Sequence, residues 1–137
     1  KLLVLSPDAQ AGHAALAEAL LLAGDYQEAL AEFDAEPLDG FTLYGRAMTF
    51  HELGDQERSE AAMKALLDLD DVHGWAAQIA MAHAVREERD DAMAWLEKAF
   101  ELNDQGIIAA QTNPFFDNLR GDPRFKQFLE RLASGAD

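Results

Sequence analysis

The chain has 137 residues, 49% of them apolar, enough for one well-buried core or for a stack of helical units. A formal net charge of -15 repels nucleic acid and anionic membrane surfaces at long range. With no cysteine, disulfides, thiolate metal sites and thiol catalysis are excluded together, which fits a reducing, cytoplasmic setting.

Leu2, Leu3, Val4 and Leu5 open the chain with an apolar run far too short to span a bilayer or to serve as a signal peptide. Periodicity then predicts a helix over 9–23, with Leu16, Ala19, Leu20 and Ala23 at helical spacing. Gly24-Asp25 stops it and starts the next, over 25–35: Gly takes the left-handed position after the helix and Asp caps its successor. Pro37 in "DAEPLDG" ends that second helix early, because proline cannot continue the hydrogen-bond ladder. A third helix over 40–52 carries Leu43, Ala47 and Phe50 and closes on Gly54-Asp55, thirty residues after the first pair. Further helices follow over 55–69, 73–86 and 89–102, and in the last turn Glu87 stands where the glycine would be. No strand is expected anywhere.

Three helical hairpins in register bring a family into view. Small residues stand seven before each turn (Ala17, Ala47, Ala80) and five after it (Ala29, Ser59, Ala92), and large apolar residues nine after it (Phe33, Met63, Leu96). Twelve after come Glu36, Leu66 and Ala99, with Glu36 where a small residue is expected. This pattern resembles the tetratricopeptide repeat, whose small positions let paired helices approach closely. The resemblance implies an all-α, right-handed α-α superhelix of three hairpins plus a capping helix. Its divisions are 1–7, the end of a preceding repeat; 8–37, 38–71 and 72–103, three repeats; and 104–137, a capping tail. Pro7 lies seventeen residues before Gly24, where the family places its helix-ending proline. The chain therefore reads as a piece of a longer protein, and its bare Leu2–Leu5 end is expected to promote self-association. The spacings of thirty and thirty-three residues, against a family norm of about thirty-four, imply a first unit one helical turn short.

Beyond residue 103, "NDQGIIAAQTNPFFDNLRGDPRFKQFLERL" is similar to the tails that close many bacterial tetratricopeptide arrays, at the end of cyclase-like, kinase-like or winged-helix regulators. Asp122 caps a last helix, Pro123 takes its first position, and Phe125, Phe128, Leu129 and Leu132 form its apolar stripe. A polar outer face on such a helix stops the array from growing.

No catalytic or metal-binding motif is complete. "HELGD" lacks the second histidine that a zinc helix needs four residues after His51, since Asp55 stands there. "DLDDVHG" opens like a calcium loop but has Val72, His73 and Ile79 where an oxygen ligand, a glycine and a glutamate belong. His13, His73 and His83 are isolated, and no Ser/His/Asp set or glycine-rich phosphate loop occurs. The expectation is no enzyme, no cofactor and no metal.

What remains is shape. The first helix of each hairpin lines a concave face, and register places Ala14, Glu18 and Leu21, then Tyr44, Met48 and His51, then Ala77, Met81 and Ala84 along it. This lining suits a peptide or an inserted helix, with Tyr44 and Met48 expected to hold it most firmly. It lacks the Lys, Arg and Asn clamp with which some family members hold a carboxylate terminus. The expected partner is a protein or peptide of basic character, not nucleic acid or membrane. Two alternatives stand beside this: part of the set packs as core beneath the C-terminal helix, or the tail closes the groove over a small molecule and the domain is a sensor.

Overall fold

The computed structural model describes residues 12–135. Leu2–Leu5, Pro7 and the self-association expected of that end lie outside them. Within the described residues there are seven α-helices and no strand. The chain divides into two compact units, Lys1–Leu69 and Asp70–Asp137.

The first unit holds two hairpins: α1 (Gly12–Ala23) with α2 (Tyr26–Asp34), and α3 (Asp39–Glu52) with α4 (Gln56–Leu67). Their turns are built alike. Gly24 and Gly54 have φ of 88° and 82°, and the next N–H reaches back over the helix end, from Asp25 to Leu20 O at 2.9 Å and from Asp55 to Phe50 O at 2.8 Å. Asp55 then caps α4 through the N–H of Arg58 at 3.1 Å. Asp25 holds the same place before α2, but its side chain makes no capping bond, so the sequence expectation holds at one turn and fails at the other. The α2 helix, at 9 residues, is a turn shorter than the 12 of α4, and the bend after it contains Pro37.

The repeat signature is the interior. Ala17, Ala29, Phe33, Ala47, Ser59, Met63 and Leu66 are all buried, and the Ser59 hydroxyl donates to Ala47 O at 2.6 Å. Gly45 matters as a close approach: a Cβ built there would lie 2.1 Å from the Phe33 ring, so α2 and α3 touch through an aromatic ring against bare backbone. Glu36, the misfit in the signature, is also buried, and its carboxylate turns to the first turn of α1, accepting from Ala14 N–H at 2.6 Å. An anion suits that place, because the first N–H groups of a helix have no partner within it and carry partial positive charge.

The second unit starts with a 3-10 turn, Val72–Trp75, followed by the hairpin α5 (Ala76–Val85) and α6 (Arg89–Glu101). Two 3-10 segments, Gln105–Gln111 and Pro114–Leu119, lead to α7 (Pro123–Ser134). Asp122 caps α7 by accepting from Arg124 N–H at 2.9 Å, and Pro123 takes the first helical position. Phe125 and Phe128 are buried beneath it, with Phe116 stacked on Phe125 at 6.0 Å.

The turn between α5 and α6 repeats the earlier two without their glycine. Glu87 adopts φ of 63°, and Glu88 N–H reaches His83 O at 2.9 Å. A left-handed residue with a Cβ costs about 1–2 kcal/mol, while a glycine there loses about 0.4–1 kcal/mol through added freedom of the unfolded chain. Glu87→Gly should therefore raise unfolding stability by about 0.5–1 kcal/mol. Denaturant titration of the two proteins reads this, and a less stable variant would show that the Glu87 side chain contributes more than its backbone strain costs.

Candidate functional site

The residues expected to line a groove fall into two groups, one per unit. In the first, Leu21 on α1 and Tyr44 and Met48 on α3 are buried, while Glu18 and His51 keep partial exposure. Tyr44 is walled in by Phe33, edge-on at 5.6 Å, and by Phe41 at 6.1 Å, and its hydroxyl donates to the Glu18 carboxylate. Register groups these side chains on one face. It could not tell a face open to a partner from one filled by the neighbouring helices, and here Tyr44 and Met48 are core.

Electrostatics follow from that burial. Desolvation pushes the Glu18 carboxyl above its ordinary value, and the bond from Tyr44 only partly opposes the shift. Burial, then the neighbouring Glu18 charge, pushes the Tyr44 phenol well above its ordinary range, so it acts as a donor at neutral pH. Nearby, His13 Nδ1 lies 2.6 Å from the Glu32 carboxylate. Because Glu18 binds its proton more readily folded than unfolded, its ionisation opposes folding. Its contribution is most favourable in acid and declines as pH rises from the ordinary carboxylate range through the raised value. Gln keeps an oxygen acceptor for Tyr44 and carries no charge. Glu18→Gln should thus be at least as stable as wild type at neutral pH, with any advantage shrinking as the solution is acidified. Unfolding curves across that range test this, and a variant weaker by the same amount at every pH would contradict it.

In the second unit Ala77 and Met81, with Ala84 beside them, lie on a helix buried along nearly its whole length. The tail covers them. Asn118 Nδ2 donates to Ala84 O at 2.9 Å, Asp104 accepts from Ala77 N–H at 3.3 Å, and a Cβ on Gly106 would come within 2.8 Å of the Ala77 Cβ. These contacts come from the segments that precede α7, not from the C-terminal helix expected to cover this face.

The motifs set aside have plain structural roles. His51 contacts Gln56 at the end of α3, with Nδ1 3.3 Å from Oε1. The carboxylate of Asp71 accepts from the Trp75 indole at 3.2 Å across the 3-10 turn. Among the described residues one trio, His83, Glu88 and Asp91, brings ligand atoms within 4.8 Å of one another. Yet Arg86 grips both Glu88 oxygens, at 3.1 and 2.9 Å, and His83 Nδ1 lies 2.8 Å from one of them. Partial burial raises the Glu88 carboxyl, but the bonds from Arg86 and His83 outweigh that and hold it below its ordinary value. A cation here would have to displace a guanidinium.

Two surfaces escaped the sequence reading. On the first unit, α2, α3 and α4 leave a shallow apolar depression of about 430 Å³ around Leu30, Leu43, Phe50 and Ala65. Its two arginines are paired with acids, Arg46 with Asp34 at 3.0 Å and Arg58 with Asp55 at 3.6 Å. On the second, a cleft of about 620 Å³ opens between the end of α6, the segment Gln105–Gln111 and α7. The adjacent isoleucines of "QGIIAA" were its only signal: Ile107 is buried and Ile108, next to it, is turned out.

Helical hairpins with similar left-handed turns and a shared interior signature define a helical-repeat protein. A tetratricopeptide repeat profile matches residues 42–73, which span most of α3 and all of α4. Over those residues the chain carries a tetratricopeptide repeat, and its all-helical fold of neighbouring hairpins is consistent with that family. Neither curated proteins nor solved structures give a match. Such repeats are generally non-catalytic modules for protein interaction. No helix among the described residues is long and apolar enough to cross a membrane.

Proposed function

We propose that this chain is a non-catalytic protein-binding module whose partner is a protein or peptide of basic character. The observation that carries the reading is the combination of repeat hairpins with a net charge of -15. The hairpins supply a rigid scaffold, and the charge speeds encounter with cationic partners in a way that weakens as salt rises. On the first unit the members of the expected groove within a partner's reach are Glu18 and His51, with Leu22 exposed on the same helix as Glu18.

A second reading, a small-molecule sensor closed by its tail, draws on the cover over α5. The approach of Gly106 to Ala77 is that of core packing, which favours the first reading. Thermal melts separate the two. Pools of basic peptides should raise the melting temperature and metabolite mixtures should not; a rise with metabolites alone would support the sensor.

A further inference from the structure

We propose that the cleft between the end of α6, the segment Gln105–Gln111 and α7 docks a short segment of a partner protein that carries a cationic residue beside a large aliphatic one. The proposal rests on the protein-binding reading and adds to it a place and a side-chain chemistry.

The apolar side chains lining the cleft are Phe100, Ile107, Ile108 and Leu132, set among polar ones. Ile108 is 62% exposed, the highest value for a large apolar side chain among the described residues. Covering it, together with the apolar side chains beside it in the cleft, would gain free energy in proportion to the apolar area removed from water. At about 620 Å³ the cleft has the size of sites that take a few side chains.

Charge decides what would cover it. Three carboxylates, Glu97, Glu101 and Asp104, line the cleft against one guanidinium, Arg131. Arg131 is already satisfied: it pairs with Glu97 at 2.8 Å and lies over the Phe100 ring at 4.7 Å. Asp104 accepts from the Gly106 N–H at 2.8 Å, which orders the segment and leaves its negative charge in place. Among the described residues Glu101 pairs with Lys98, at 3.9 Å and well exposed, a pair of little strength. The cleft thus mixes apolar side chains with an excess of carboxylates, in a chain whose overall charge has the same sign. A second copy of the chain, equally acidic, is repelled from it. A lysine or arginine next to leucine or isoleucine matches both the carboxylates and the apolar side chains.

The test uses the full chain and two synthetic peptides with the same leucines, one interspersed with lysine and the other with glutamate, titrated by fluorescence anisotropy. The lysine peptide should bind and the glutamate peptide should not. Ile108→Asp should weaken binding about tenfold or more, as loss of an apolar anchor does, with an unchanged melt because the side chain is exposed. Glu101→Lys should weaken it too, whereas Glu52→Lys, on the exposed end of α3, should have much less effect. Equal losses from Glu101→Lys and Glu52→Lys would mean diffuse attraction to an acidic surface and would overturn the cleft. So would full affinity in Ile108→Asp, or self-association of the wild type that Ile108→Asp abolishes. Binding that survives Ile108→Asp removes the cleft and leaves the protein-binding reading standing; no binding of any peptide or protein removes both.

Discussion

Gly45→Ala should destabilise the first unit by about 2 kcal/mol or more, although helix propensity taken alone predicts a gain of about 1 kcal/mol. Gly45 lies inside α3, where alanine is the better helix former, but the added methyl would sit 2.1 Å from the Phe33 ring. Overpacking a filled core costs about 1–3 kcal/mol where the structure can yield. Here the ring has little room to move: Phe33 is fully buried, with Tyr44 edge-on at 5.6 Å, and the end of α2 is tied to α3 by Thr42 Oγ1 donating to Phe33 O at 3.0 Å. Combining Gly45→Ala with Phe33→Leu discriminates the cause. If the clash is responsible, the double variant loses less than the sum of the single losses. A Gly45→Ala protein more stable than wild type would mean that the helices separate at little cost.

The larger effect belongs to Tyr44→Ala with Met48→Ala. Both side chains are fully buried, so the loss should fall on the fold: about 3–5 kcal/mol for the aromatic and about 2–5 kcal/mol for the methionine, less any overlap between neighbours. Against a total stability of about 5–15 kcal/mol for a domain of this kind, the double variant should leave the first unit unfolded or nearly so at room temperature. Circular dichroism melts give the answer. A variant that melts like wild type but no longer binds a partner would return these residues to the role of interface anchors that their register suggested.

The contrast shows where the sequence was readable. Turns are local, and their chemistry is visible in a few letters: Gly24-Asp25 and Gly54-Asp55 set two boundaries, and counting seven back and five, nine and twelve forward found the interior of every hairpin. Even Glu87, without the glycine, kept the same turn, because the helices on both sides fix its backbone. Side-chain exposure is a different matter. Tyr44 and Ala77 occupy equivalent register, yet one is buried by Phe33 and Phe41 and the other by a tail that approaches from more than twenty residues on. No periodicity within a hairpin encodes what packs against it from elsewhere. Glu36 is the same lesson reversed: it looked like a misfit because its partner, the start of α1, lies twenty-two residues earlier. The cleft beside Ile108 was hidden for a related reason, since its walls come from three separate segments.

A protein-binding module with a net charge of -15 should select partners of basic character. Selection from a random-peptide display library tests it most directly, with immobilised folded chain as bait and the same chain in denaturant as the control. The folded chain should enrich sequences with lysine or arginine beside aliphatic residues, and elution by salt should release them. Enrichment of acidic sequences, or none above the denatured control, would contradict it.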